Sequence, residues 1–343
     1  MKRIKRIFGI SIPERWLFVP AVLLFVILLI PIIRLAFYAI PWYDDYSYAV
    51  YVKSHIDVYG PLKGAILGAM YVARTWWYCW QGTFSSIVMM SIMPEAFGEG
   101  YYYVGIIGIV LFFCVSSLCF VKTICKHFMK AQYSIQISVA VLVTLTMIEL
   151  IYTAQEGIYW YNAAVHYTFM HGCLFLLLTS IIKGFYARTR MQRVCAGFFA
   201  ALLSLVCGGS NFVTALQGIL LILFATTVGF LLERKSCIFL LPADIIYTIA
   251  LYFNISAPGN AVRSAWYNGY GALESILYSF KSGAVHFWEF TGSITIVILV
   301  PFVLMIWNSI SRLEYKFRCP LLVTIFSFCF YCTGFTSSYY GMG

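Results

Sequence analysis

The sequence predicts an all-α, polytopic membrane protein with about nine transmembrane helices and its N-terminus inside. Three observations carry that prediction. Of 343 residues, 62% are hydrophobic and 10% charged, where soluble domains carry about 25% charged residues. Apolar runs of spanning length recur along the chain. The basic residues fall on alternate connections between those runs, as the positive-inside rule requires.

The first segment, MKRIKRIFGISIPER, is basic and precedes an apolar stretch from Trp16 to Ile40. A cleaved secretory signal has an apolar core of only about 7–15 residues, so this stretch is expected to remain as a signal anchor. Further spans are expected near 101–121, 134–152, 166–182, 194–208, 212–232, 236–256, 288–310 and 319–336, of which 194–208 is the shortest. The whole chain, 1–343, reads as a single integral-membrane domain.

Seventeen of the 23 basic residues then lie on inner segments: Lys2, Arg3, Lys5, Arg6 and Arg15, the connections at 122–130 and 183–193, Arg234 and Lys235, and Arg312, Lys316 and Arg318. Five lie outside, Lys53, Lys63, Arg74, Arg263 and Lys281, while Arg34 falls within the first span. The net charge of +10 therefore serves topology and the anionic inner leaflet, and nucleic acid is not expected as a partner. Eight carboxylates take the other side: Asp44, Asp45, Asp57, Glu95, Glu99, Glu156, Glu274 and Glu289. Polar chemistry is thus expected on the extracytoplasmic face. The eleven cysteines lie mostly in or beside apolar runs and read as small buried hydrophobes; Cys79 alone sits well inside an outer loop.

Two outer connections are long, 41–100 and 257–287, and both are too apolar for free linkers. In the first, DDYSYAVYVKSHIDVYG reads as a helix from the aspartates to Gly60-Pro61, and PLKGAILGAMYVARTWWYCWQG as a second from Pro61 to Gly82. Both are expected to lie along the membrane surface. The Gly64-xxx-Gly68 spacing permits close helix packing.

Three stretches hold the candidate chemistry. Asp44 and Asp45 stand among Trp42, Tyr43, Tyr46 and Tyr48. One aspartate serves as an N-cap worth about 1 kcal/mol, which leaves the second carboxylate unexplained. Gln155-Glu156-Gly157-Ile158-Tyr159-Trp160-Tyr161-Asn162, continuing to His166 and His171, forms a turn where the aromatics after Glu156 argue for its partial burial. The histidines are five apart, off the i,i+4 spacing of a helical ligand pair, so no metal site is expected. The third stretch, Asn254 to Arg263, carries a Pro258-Gly259 turn and an arginine suited to bidentate phosphate capture, with Arg74 as the competing ligand. Glu149 and Asp244 fall within spans and count as functional because burial there is costly; Asp244 reads equally as a neutral packing residue. P-loop, Rossmann, GxSxG and HExxH patterns are absent from the sequence.

A long first outer loop opened by acidic residues resembles the GT-C superfamily, multi-spanning glycosyltransferases that use lipid-linked sugars. WYDDYSYA at 42–49, EGIYWYNAAVHYT at 156–168 and APGNAVR at 257–263 resemble, more closely, a family of bacterial membrane proteins placed near that superfamily. That family often carries Gly-Arg where this chain has Gly82-Thr83, and its members continue past the point where this chain ends, so a shortened chain or fragment is expected. The resemblance implies transfer of a sugar from a polyprenyl-phosphate donor to a cell-envelope glycan or lipid acceptor. It implies Asp44, Asp45 and Glu156 as catalytic carboxylates and Arg263 or Arg74 as the donor-phosphate ligand. Trp42, Tyr46, Trp160, Tyr161, Asn162 and His166 would contact sugar or acceptor. GT-C members differ in their need for a divalent metal, and the sequence leaves that point open; no other cofactor is implied. Two other classes compete, a transporter or lipid flippase and a non-catalytic assembly subunit. The first calls for ionisable groups at mid-membrane in both halves of the chain, the second for no aspartate pair.

Overall fold

A computed structural model of the protein describes residues 4–7, 10–13, 18–149, 151, 153–232, 235–266 and 269–291. Apart from a two-stranded antiparallel hairpin, β1 (Ile4–Ile7) with β2 (Ile10–Pro13), the regular elements among them are helical.

Six helical segments are long and apolar enough to cross a membrane: Phe18–Ala36 (α1), Tyr102–His127 (α5), Tyr161–Phe185, Arg190–Gly208 (α9), Phe212–Leu231 (α10) and Cys237–Ile255. They mark a membrane-embedded protein. On α1, Leu23, Leu24, Val26, Ile27 and Ile30 face outward, a surface that lipid accommodates and water does not. The run expected at 134–152 forms α6, Tyr133–Glu149, of 17 residues. At about 1.5 Å per residue it extends about 25 Å, short of a hydrocarbon core of about 30 Å. The described residues thus hold six such helices where nine spans were expected. The ones at 288–310 and 319–336 lie outside the described residues, except for 288–291.

The run at 194–208 gains length from a capping box. The Thr189 hydroxyl accepts the Gln192 N–H at 3.2 Å, and the Gln192 side chain accepts the Thr189 N–H at 3.4 Å. These bonds satisfy the free donors of the first turn, so α9 starts at Arg190 and reaches 19 residues.

The first long connection carries the two helices expected there. α2 (Asp45–Tyr59) ends at Gly60, whose φ of +81° a glycine adopts without steric cost, and α3 (Pro61–Cys79) begins with proline in its first turn. A Cβ at Gly64 would meet the His55 carbonyl oxygen at 2.4 Å, and one at Gly68 the Val52 Cα at 2.8 Å. The two helices touch backbone to backbone there, as the glycine spacing allows. α4 (Phe84–Ser91) and a 3₁₀ turn (Pro94–Ala96) complete the connection.

Beyond α6, a π turn (Gln155–Tyr159) leads into α7 (Tyr161–Ala164), a second π turn (Val165–Phe169) and α8 (Met170–Phe185). α11 (Leu241–Ile255), α12 (Pro258–Ser264) and α13 (Ala272–Thr291) close the described chain.

Two apolar cores organise the helices. One gathers Val72, Ile87, Ile106, Phe113, Ile148 and Ile158 from α3, α4, α5, α6 and the first π turn. The other joins Leu177, Ala200, Ile222 and Tyr247 from α8 to α11. A side chain such as Ile87 or Ile106, fully buried, contributes roughly 1.5–3 kcal/mol. α5 packs on both α6 and α8 and so ties the cores together. The first core holds the ends of α2, α3, α4, α5 and α7 against one another, and the conspicuous polar side chains meet at that junction.

Candidate functional site

The chain enters α2 through Trp42-Tyr43-Asp44, with Tyr43 at φ +48°. A non-glycine residue in this left-handed region carries about 1–2 kcal/mol of strain. The turn aims both aspartates across the bundle instead of back along their own helix. Asp44 stands at the helix boundary with helical torsions (φ −80°, ψ −6°) and makes no capping bond. The expected N-cap role is therefore corrected: a cap needs extended torsions to swing its side chain over the following amides, and Asp44 lacks them.

Both carboxylates bind α7. Asp45 is fully buried. Its Oδ2 accepts the Trp42 N–H at 2.9 Å and the Tyr102 hydroxyl at 2.7 Å, and its Oδ1 accepts the Asn162 N–H at 3.0 Å. Half-buried Asp44 accepts the Asn162 side-chain amide on Oδ1 at 3.1 Å. Asn162 thus touches both, through its backbone and its side chain. Burial raises the pKa of Asp44 above the ordinary carboxylate value, opposed by Asn162 and by the nearby Trp160 indole. Burial pushes Asp45 further, up to about 6, against its three donors, and the Asp44 charge adds a smaller upward push.

The residues after the π turn divide by exposure. Trp160 is half-buried, edge-on to the Tyr43 ring at 6.1 Å. Its indole N–H leans toward Asp44 but is buried without a hydrogen-bond partner among the described residues. Tyr161 was expected to offer a face to a sugar and does not. It is 5% exposed, its ring packs where Gly105 leaves no room for a Cβ, and its hydroxyl donates to the carbonyl of Met89 at 3.2 Å or of Ile92 at 3.4 Å. It is a wedge between α4 and α5. Trp42 and Tyr46, 54% and 61% exposed, keep free ring surface beside the aspartates. His166 is held through its carbonyl, which accepts the Asn211 side-chain amide, and its Nδ1 has no partner among the described residues.

Arg263 comes in on α12, which is clamped to the turn after α3. The Asn260 side chain accepts the Gly82 N–H at 3.0 Å and donates to the carbonyl of Asn254 at 2.8 Å or of Ile255 at 3.1 Å. Asn254 donates in turn to the carbonyls of Gly208 and Ser210. A Cβ at Gly82 would stand 1.9 Å from the Asn254 carbonyl oxygen, and one at Gly259 2.5 Å from the Trp80 nitrogen. So anchored, Arg263 donates to Gln81 Oε1 and lies over the Trp80 ring at 5.7 Å. Its charge reaches both His166 and Tyr48. Tyr48, buried and stacked on Trp76 at 5.3 Å, has its hydroxyl against Gln81 and lies in the field of Asp44. Burial first and then Asp44 raise the pKa of this phenol, and Arg263 opposes them.

Asp44, Asp45, Asn162 and Trp160 therefore gather in one place, and Arg263 lies near enough for its charge to reach His166 and Tyr48, the latter also in the field of Asp44. Arg74 and Glu156 do not join them. Arg74 is exposed on α3, and Glu156, expected to be partly buried, is exposed on the first π turn; neither makes a hydrogen bond or ion pair with a described residue. Glu149 ends α6 exposed, near enough to act electrostatically on Tyr159. Asp244 accepts the Thr226 hydroxyl at 2.8 Å between α10 and α11, on the side of the second core. No three His, Cys, Asp or Glu side chains cluster among the described residues.

Gln81, Tyr102 and Asn260 were not singled out from the sequence, and Tyr48 stood out only as one of the aromatics around the aspartates. Tyr48 and Gln81 had faint signals, one turn beyond Asp44 and the single amide in a tryptophan-rich turn. Tyr102, at the start of a span, has none, since tyrosines gather at membrane interfaces without any site.

Chemically, the site offers a half-buried carboxylate with raised proton affinity. A guanidinium is linked to it through Gln81 and Tyr48, and free aromatic surface lies beside it. That suits a substrate with a hydroxyl to deprotonate, a ring to stack and an anionic group to hold. No family model, curated protein or solved structure matches the chain.

Proposed function

We propose that this protein is a glycosyltransferase that moves a sugar from a polyprenyl-phosphate donor to a glycan or lipid acceptor of the cell envelope. In this reading the N-terminus is inside, the chain crosses the cytoplasmic membrane nine times, and the site opens on the extracytoplasmic face. The observation that supports it is the hub of Asp44, Asp45 and Asn162 at one end of an apolar helix bundle, with Arg263, bonded to Gln81, acting on the same Tyr48 phenol as Asp44.

The aspartate pair takes the proton of the acceptor hydroxyl as its oxygen bonds to the anomeric carbon and the bond from that carbon to the phosphate oxygen breaks. Arg263 balances the charge that grows on the departing polyprenyl phosphate. Trp42, Tyr46 and Trp160 line the sugar's path. Glu156 and Arg74, both exposed, are peripheral.

The test is transfer of radiolabelled sugar from polyprenyl-phosphate donors in membranes containing the full chain. Asp44→Asn and Asp45→Asn are compared with wild type, and Asp244→Asn serves as a distant carboxylate control. Loss in the first two with retention in the control is the expected outcome. Unchanged transfer in both site variants sinks the reading.

A further inference from the structure

We infer that the two aspartates have different tasks: Asp45 is a positioning residue that holds Asn162, and Asp44 is the carboxylate that meets the acceptor hydroxyl. The assignment to Asp44 rests on the transferase reading; the positioning role of Asp45 stands without it.

The argument is one of acceptor capacity. An ionised carboxylate has about four lone-pair positions. Three on Asp45 are filled by donors from separate parts of the fold: Trp42 before α2, Tyr102 at the start of α5 and Asn162 in α7. Its relative exposure is 0%. A reacting hydroxyl would have to displace one of these donors and leave it buried and unpaired. Asp44 is the opposite case. It is half-buried, its one full hydrogen bond comes from Asn162 on Oδ1, and the Trp160 indole leans toward it without completing a bond.

The two are mechanically linked. Asn162 gives its N–H to Asp45 and its side-chain amide to Asp44. The carboxylate fixes which end of that amide faces it, since only the nitrogen donates. Tyr102 ties the hub a second time, because its oxygen accepts the Tyr161 N–H at 2.8 Å while its hydroxyl serves Asp45. Tyr102, Asp45, Asn162 and Asp44 form a chain in which each member sets the position of the next.

The test uses the full chain, purified in lipid nanodiscs, as Asp44→Asn, Asp45→Asn, Tyr102→Phe and the Asp45→Asn/Tyr102→Phe double variant. Thermal unfolding is measured first. Asp45→Asn and Tyr102→Phe should each lower Tm, the double variant by less than the sum, because both break the same hub. Asp44→Asn should match wild type. Equal destabilisation by Asp44→Asn and Asp45→Asn, or strict additivity in the double variant, overturns the positioning role.

Transfer is measured second, as kcat against pH. Asp44→Asn should lose about 10²–10⁴-fold, the usual share of a general base. The residual activity of Asp45→Asn and Tyr102→Phe should keep the acidic limb of the wild-type profile, because their base is still present. Loss of that limb in Asp45→Asn with its retention in Asp44→Asn reverses the assignment. Transfer that no variant alters removes the transferase reading, and the unfolding data still decide the role of Asp45.

Discussion

Asp45 is an anion withdrawn from water and surrounded by donors, and its protonation is coupled to folding. Its pKa rises from 3.8 to about 6 on burial, so between those values the folded chain binds a proton that the unfolded chain does not. The stabilisation from this raised affinity is complete below about pH 4 and is lost as pH climbs through about 6, an effect on the order of 2–3 kcal/mol. Tm of wild type should therefore fall over that window relative to Asp45→Asn, which lacks the group; parallel Tm curves would refute the coupling. Arg263 admits a second check. Its planar fork serves Gln81 and the Trp80 face together, which a lysine does not reproduce. Arg263→Lys should cut transfer about tenfold or more, the scale of one lost charge-assisted bond, while Arg74→Gln leaves it unchanged. At this scale the sequence was partly legible. Asp44, Asp45, Asn162 and Arg263 stood out as polar groups in an apolar chain. The burial of Tyr161 and the exposure of Glu156 were not legible, because burial depends on which way an element is turned, and composition does not record that.

α12 is short, and only its clamp onto the turn after α3 gives Arg263 a fixed place. Gly82 is where the clamp is tightest, with an added Cβ falling 1.9 Å from the Asn254 carbonyl oxygen. Gly82→Ala should lower Tm markedly and release Arg263 from Gln81. Gly108 in α5 makes the control, since nothing stands within 4 Å of a Cβ built there. Gly108→Ala should raise stability by up to about 1 kcal/mol through helix propensity alone. The cap of α9 tests the same level of structure: Thr189→Ala removes one half of the capping box and should cost about 1 kcal/mol in denaturant unfolding. The ends of α2 and α3 were readable in advance from Gly60-Pro61, because those residues fix backbone torsions locally. The clamp was not, since Gly82 meets Asn254 and Asn260 from more than 170 positions away in the chain.

For the whole molecule, the arrangement proposed in the membrane is tested by thiol labelling. Cys79 is exposed and should react with an impermeant maleimide in intact cells. Arg188→Cys in a Cys79→Ser/Cys195→Ser background should add labelling only after permeabilisation, and the reverse pattern would invert the topology. The sequence by itself determined that the chain is helical and membrane-embedded. Those properties follow from hydropathy and charge summed along the chain, with no knowledge of packing. Only the tertiary structure decided that Asp45 faces Tyr102 and Asn162 while Asp44 takes one full hydrogen bond, and that Arg263 is held on Gln81 while Arg74 is exposed. Successive side chains on a helix point about 100° apart, so which of two neighbours is enclosed depends on the elements that pack against them. Here those elements are α5 and α7, brought to α2 by an apolar core that residues far apart in the sequence build together, and α12, held on α3 by its clamp.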